Sequence, residues 1–129
     1  MQIYEQELSV TQADLDARQH VNNVRYVQWV QDIAEAHWLL KSPETIRSQF
    51  YWVMISHHIH YKAEAVLGDH LTLKTFVIQT ESVKSVRRVE IYNSKTQKLL
   101  ASSETIWCFM SYETHKPTRI PSEIKTLFS

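Results

Sequence analysis

Glycine, cysteine and proline are all scarce in this chain of 129 residues, which has one, one and three of them. So few chain breakers argue against flexible linkers, disorder and low-complexity classes. The lone cysteine, Cys108, can form no internal disulfide, and no Cys/His set has the spacing of a zinc site. Neither charge is in excess, since 14 basic residues meet 14 acidic ones. With no long run of either sign, nothing recommends a nucleic-acid partner or a polybasic membrane face. Long hydrophobic runs are missing too, and none approaches the roughly 20 apolar residues that span a bilayer. The opening MQIYEQELSV alternates and lacks the apolar centre of a signal peptide. These absences predict a cytoplasmic protein folded as a single domain over residues 1–129.

Large rings, by contrast, are plentiful, with four Trp and six Tyr, and the apolar residues fall into clear periods. Ile3 to Val10 alternates, with Tyr4, Leu8 and Val10 on one side and Glu5 and Glu7 on the other, which predicts a strand. Thr11 to His20 is polar and reads as a loop. From about Asn22 the period becomes helical: Val24, Val27, Val30, Ile33, Ala34 and Trp38 form the expected apolar stripe, widened by Tyr26, Trp29 and His37. Ser42-Pro43 ends that helix, because a residue before proline is pushed out of the helical region. The same pair is expected to open a short second helix, with Ser42 as its cap. Beyond Phe50 the period of two returns. Val53, Ile55, Ile59 and Tyr61 are expected on one face of one run, and Leu71, Leu73, Thr75 and Val77 on one face of the next. Two further strands follow, Val83 to Tyr92 and Leu99 to Met110. Gly68-Asp69 and Asn93 to Lys98 are the turns, and Ile120-Pro121-Ser122-Glu123 opens a final short helix. The order is strand, long helix, then four antiparallel strands, an α+β arrangement with the helix on one sheet face.

The densest chemistry lies in DLDARQHVNNVRYVQWV, Asp14 to Val30. Asp and Asn before a helix are ordinarily caps and turn formers, and spacing alone favours that reading. The sharper one sets Asp16 beside the free N–H groups of a helix start, where developing negative charge is stabilised. A carboxylate there can serve as general base or nucleophile toward an activated acyl group. Asp14, two residues away in an extended segment, points the other way and is the weaker candidate. His20 is placed to orient Asp16 or meet substrate, and Asn22 and Asn23 to cap the helix.

Asp14-Leu15-Asp16, His20-Val21-Asn22-Asn23, Tyr26 and Trp29 together resemble the hotdog-fold thioesterases of the 4-hydroxybenzoyl-CoA and acyl-ACP thioesterase type. Tyr61-Lys62-Ala63 before Gly68-Asp69, and Pro117 with Ile120-Pro121, extend the likeness over nearly the whole chain. The resemblance implies a curved antiparallel sheet wrapped around one long central helix, with no cofactor. It also implies homodimers joined sheet edge to sheet edge, in some cases paired again as tetramers, with active sites at the subunit interface. Its catalytic carboxylate falls on Asp16, its carbonyl-polarising amide on Asn23 and its supporting histidine on His20. Arg18, Asn22, Tyr26 and Arg87 are the expected substrate contacts. The acyl-ACP branch has Asn where this chain has Arg18, and its plant members carry two repeats, so acyl-CoA is the expected substrate ahead of acyl-ACP. A hotdog module that binds acyl-CoA without cleaving it, and a hotdog hydratase or dehydratase, are the alternatives.

Three other groups have simpler readings. His57, His58 and His60 lack a carboxylate or cysteine partner for a metal. Cys108, between Trp107 and Phe109, reads as a buried, inert thiol. Arg87 and Arg88 adjoin on a strand and so diverge, which would let one of them reach a coenzyme phosphate; a solvated pair is the simpler expectation.

Overall fold

In the computed structural model, which describes residues 1–129, five strands and a long helix follow the expected order. β1 (Tyr4–Ser9) is followed by a single 3-10 turn (Gln12–Asp14), then α1 (Asn23–Lys41) and the short α2 (Glu44–Arg47). The strands β2 (Phe50–Tyr61), β3 (His70–Glu81), β4 (Lys84–Asn93) and β5 (Leu99–Ser111) come next, and α3 (Ser122–Leu127) closes the chain. All pairings are antiparallel, in the spatial order β1-β3-β4-β5-β2. The link from β2 to β3 therefore crosses from one side of the sheet toward the other, leaving β1 and β2 as edges. Gly68, in that link, has φ of 86°, a left-handed conformation that accounts for the chain's one glycine.

The sheet curls over α1, and three register shifts mark where. They fall between Met54 and Ser56 on β2, Val77 and Gln79 on β3, and Ile91 and Tyr92 in the β4–β5 ladder. Each extra residue bends its strand and increases the local twist. It also switches which residues face inward. On β2, Phe50, Trp52 and Met54 are the more covered positions before the shift, and His57 and Ile59 after it. The expected common face of Val53, Ile55, Ile59 and Tyr61 is thus wrong: Val53 and Ile55 are exposed, while Ile59 packs on the core. On β3 the face of Leu71, Leu73 and Thr75 is as expected.

The buried face of α1 also differs from the stripe expected. It runs through Tyr26, Trp29, Val30, Ile33, Ala34 and His37, whereas Val24 is 71% exposed. The rings expected to widen the stripe are its centre. Val30 and Ile33 meet Leu71, Leu73, Val89 and Ile91 in the main core, where each fully covered side chain contributes about 1.5–3 kcal/mol. A second cluster of Ile46, Phe109, Ile120, Ile124 and Phe128 packs α2 and α3 against the sheet. Ser42 serves α1 rather than α2: it is the C-cap, its hydroxyl donating to the Trp38 carbonyl at 2.6 Å, and Pro43 takes the cap position of α2.

Candidate active site

The loop before α1 folds back on itself. Leu15 bridges Val21, the Asn22 N–H donates to the Asp14 carbonyl at 2.9 Å, and the Asp16 N–H donates to the His20 carbonyl at 2.8 Å. Asp14 therefore sits at the base of a small hairpin and Asp16 at its tip. Gln19, with φ of 62°, takes the left-handed residue this tight reversal requires. The sequence reading of opposed aspartates is correct, and their partners differ completely.

Asp14 is buried and belongs to the scaffold. Its carboxylate accepts from the Thr11 N–H at 2.8 Å and the Thr11 hydroxyl at 3.1 Å, and pairs with Arg25 Nε at 2.9 Å. Asp14→Ala removes three donors' partner at once. Because Arg25 is partly exposed and can rehydrate, we expect a loss of about 2–3 kcal/mol by urea denaturation. Stability unchanged within 0.5 kcal/mol would show that the hairpin needs no anchor there, since about 1 kcal/mol is typical of one lost cap.

Asp16 is half-buried, and its two oxygens have different employment. Oδ1 accepts the backbone N–H groups of Arg18 at 2.9 Å and His20 at 3.2 Å. Oδ2 accepts nothing from the chain. The bland reading of Asp16 as a turn former is thus right for one oxygen and leaves the other free. The helix cap is Asn22, whose Oδ1 accepts the Val24 N–H at 3.0 Å. The Arg25 N–H bonds the Asn22 carbonyl at 2.9 Å, but the Asn23 N–H donates to no group in the protein. One hairpin therefore carries a carboxylate oxygen without a donor and a helix-start amide without an acceptor.

Around this pair the other expected site residues take varied places. The His20 ring does not touch Asp16; only its backbone does. Nε2 lies 3.2 Å from Glu64 Oε2, and Nδ1 is buried without a partner. Arg18 is exposed and meets the same carboxylate at 3.2 Å. Glu64, which the sequence reading missed, thus clamps the tip of the hairpin from the β2–β3 link. Its only signal is its place just after Tyr61-Lys62-Ala63, since nothing local marks a contact 44 residues away. Tyr26, expected at substrate, is instead a core residue only 2% exposed, and its oxygen accepts the Ala65 N–H at 3.3 Å. Burial raises its pKa above the usual tyrosine range. Tyr61, at the end of β2, brings its hydroxyl to the Asn23 carbonyl at 3.4 Å.

Arg87 and Arg88 do diverge, but the solvated pair is overturned for Arg87. It is 7% exposed on the inner face of β4, and no bond joins it to the Asp14–Asn23 hairpin. Nη1 donates to Thr75 Oγ1 at 3.0 Å and to His37 Nδ1 at 2.8 Å. A guanidinium has no acceptor, so His37 Nδ1 must be the unprotonated nitrogen. Burial, with Arg87 and then Lys41 adding to it, pushes the His37 pKa down to about 4, and burial lowers that of Arg87 to about 10. Arg88 is partly exposed, bonded to Glu90 at 3.1 Å.

The His37 arrangement has a pH signature. Its folded pKa lies below the ordinary 6.5, so an unfolded chain takes up the proton first. The associated stability is complete above pH 6.5 and drains away as pH falls toward 4, by up to about 3 kcal/mol. His37→Gln keeps an acceptor for Arg87 and should remove that part of the acid loss in urea titrations between pH 7 and 4. An identical acid profile would assign the loss to other groups.

Arg87 lines a separate cavity of about 460 Å³ beneath the C-terminal half of α1, walled by Trp38, Phe50, Trp52, Trp107 and Phe128. None of its lining residues belongs to the Asp14–Asn23 hairpin. His58 and His60 stack on each other at 4.5 Å on β2, and no group of three metal-ligating side chains converges anywhere in the chain. Cys108 is buried, as expected. No helix is long and apolar enough to cross a membrane.

Comparison with known proteins agrees with the fold. A 1,4-dihydroxy-2-naphthoyl-CoA thioesterase from Synechocystis superposes with a TM-score of 0.85 at 21% identity, covering 98% of this chain and 96% of that one. A Staphylococcus aureus protein solved in complex with CoA gives 0.84 at 17% identity, covering 98% and 81%. The 12:0-ACP thioesterase from Umbellularia californica gives 0.83 at 12%, covering 96% of this chain but 48% of its own. No curated protein matches the chain in sequence. The five-stranded antiparallel sheet curved over one helix is the hotdog fold. The family model of the thioesterase-like superfamily matches residues 10–128, and the chain belongs to that superfamily.

Proposed function

We propose that this protein hydrolyses acyl thioesters, with Asp16 and the Asn23 amide as its catalytic groups. The observation that carries the reading is the division of labour at Asp16. Two backbone amides hold Oδ1, so the carboxylate is fixed without a side-chain partner and Oδ2 is free to act. The thioester carbonyl oxygen would take the unused Asn23 N–H, where the dipole of α1 adds to the stabilisation of developing charge. Oδ2 then either removes a proton from water as it attacks the carbonyl carbon, or attacks that carbon itself to give a mixed anhydride that water opens. In both routes the C–S bond breaks, the thiolate leaves and takes up a proton, and a free carboxylic acid results. In this reading His20 supports Asp16 through its backbone and holds the hairpin tip through Glu64, and the exposed Arg18 contacts substrate. The side chain of Asn22 is committed to capping. CoA is the favoured carrier over acyl carrier protein: a similar structure was solved with CoA, and Arg18 offers an accessible cation for an anionic handle.

The working unit in this reading is a homodimer joined through β2, with a dimer of dimers as an extension. β2 runs 12 residues and pairs on one side only. Its Tyr61 end touches Asn23, and its Phe50 end lines the aromatic cavity. Two β2 strands paired antiparallel across a two-fold set the Tyr61 end of one copy against the Phe50 end of the other. Each hairpin then faces the cavity of the neighbouring subunit, which completes the site.

A thiol-release assay across acyl-CoAs of graded length and ring content, with one acyl carrier protein thioester, tests the function. Thiol release with the matching free acid is expected. Tight binding without thiol release would instead mark a sensing module, and loss of enoyl absorbance without thiol release a hydratase.

A further inference from the structure

Arg87 is a buried cation without a counter-ion. The chain forms six ion pairs, and none of them includes Arg87. Its two bonded partners, His37 Nδ1 and Thr75 Oγ1, are neutral, and both are held by Nη1. Nε and Nη2 donate to nothing in the protein, yet neither is sealed away as an unpartnered buried atom. They are open to whatever occupies the cavity.

Burying a guanidinium without an anion is costly, and natural interiors seldom retain one unless it is paired. Thr75 and His37 hold Nη1 in a fixed direction, and the Phe128 ring lies 5.6 Å from the guanidinium carbon. The remaining charged groups on the lining are Arg47 and Glu35, and Glu35 is exposed on α1. The interior therefore offers an anion one fixed cation and a wall of Trp38, Phe50, Trp52, Trp107 and Phe128. Such a wall suits a flat ring more than a hydrated phosphate.

We propose that this cavity receives the acyl group and that Arg87 binds an anionic oxygen within it, so that preferred substrates are aryl thioesters bearing a carboxylate remote from the thioester. The inference rests on the thioester-hydrolase reading for the word substrate, but the binding it predicts does not need catalysis. On α1 the cavity begins at Gln31, eight residues past Asn23 and hence about 12 Å along the helix. An acyl group whose carbonyl sits at one subunit's hairpin would reach it in the adjoining subunit across the β2 seam.

Calorimetric titration of the whole protein with 2-naphthoate and with its neutral analogue 2-naphthamide reads the cation directly and needs no variant. The acid is expected to bind about tenfold more tightly, the usual scale for a charge-assisted hydrogen bond. Arg87→Met should erase the difference, and Arg87→Lys should retain most of it. Asp16→Asn should keep it in full. For turnover, 4-carboxybenzoyl-CoA should exceed 4-methylbenzoyl-CoA in kcat/KM by a similar factor, and Arg87→Met should reverse the order. Equal binding of acid and amide, binding of neither, or a preference unchanged in Arg87→Met overturns the assignment. If the acid preference depends on Arg87 but no thioester is cleaved, the cavity assignment stands and the hydrolase reading fails.

Discussion

Asp16→Asn is expected to fold as the parent does and to lose about a thousandfold or more in kcat. The two halves of that expectation come from different oxygens. An asparagine Oδ1 can still accept the N–H groups of Arg18 and His20, so the hairpin keeps its closure. The amide nitrogen that replaces Oδ2 can neither take a proton from water nor attack a carbonyl. Asp16→Ala removes both roles, so it should be equally inactive and also less stable by about 1–2 kcal/mol. Thiol release with saturating acyl-CoA measures the first effect and urea denaturation the second. Hydrolysis undiminished in both variants would sink the mechanism. Its other half can be reached by Asn23→Pro, which deletes the backbone N–H along with an exposed side chain that makes no hydrogen bond, a loss that Asn23→Ala controls for. Asn23 is the first residue of α1, where proline is well tolerated, and Asn22 already has the extended φ of −63° and ψ of 135° that precedes a proline comfortably. Stability should change little, while turnover should fall about a hundredfold or more, as when an oxyanion donor is lost.

The second large effect concerns the seam. Lysine at both Val53 and Ile55 should yield monomers by light scattering and abolish turnover together with dimerisation. Both residues are exposed on β2, and Ile55 lies near the middle of the 12-residue strand. A two-fold pairing over the full strand would bring the new charges of the two copies together, and lysine on a strand edge is a common device against edge pairing. A monomer that keeps full activity would show that each chain carries a complete site, and would leave the cavity to its own subunit.

Much of this was legible from local pattern. The order of elements, the turn at Gly68-Asp69 and the opposition of Asp14 to Asp16 follow from periods and turn chemistry that act within a few residues. On α1 the valine period points to the wrong face, because the rings carry the larger apolar area: Val24 is outside, while Tyr26, Trp29 and His37 are inside. The bulge on β2 could not be seen, since an extra residue in one strand exists only relative to its partner. Glu64 against His20 and Arg87 against His37 are contacts of 44 and 50 residues' separation. No period or motif encodes them. The family likeness supplied the role proposed for Asp16, and the hydrogen bonds add that its turn-forming contacts use one oxygen and leave the other free.

The bulge between Met54 and Ser56 has a consequence for what evolution or engineering can do with β2. The strand is like a ribbon turned over once along its length. Its first half presents Phe50 and Trp52 to the aromatic cavity, and its second half presents Ile59 to the core beside Tyr61 and the helix start. Removing Ile55 would undo the turn and send one half's side chains to the wrong face. If the cavity takes the acyl group as proposed, substitutions at Phe50 or Trp52 should retune which group fits, whereas a change in the strand's length should disable the protein. The count of residues here is as much a part of the chemistry as their identity.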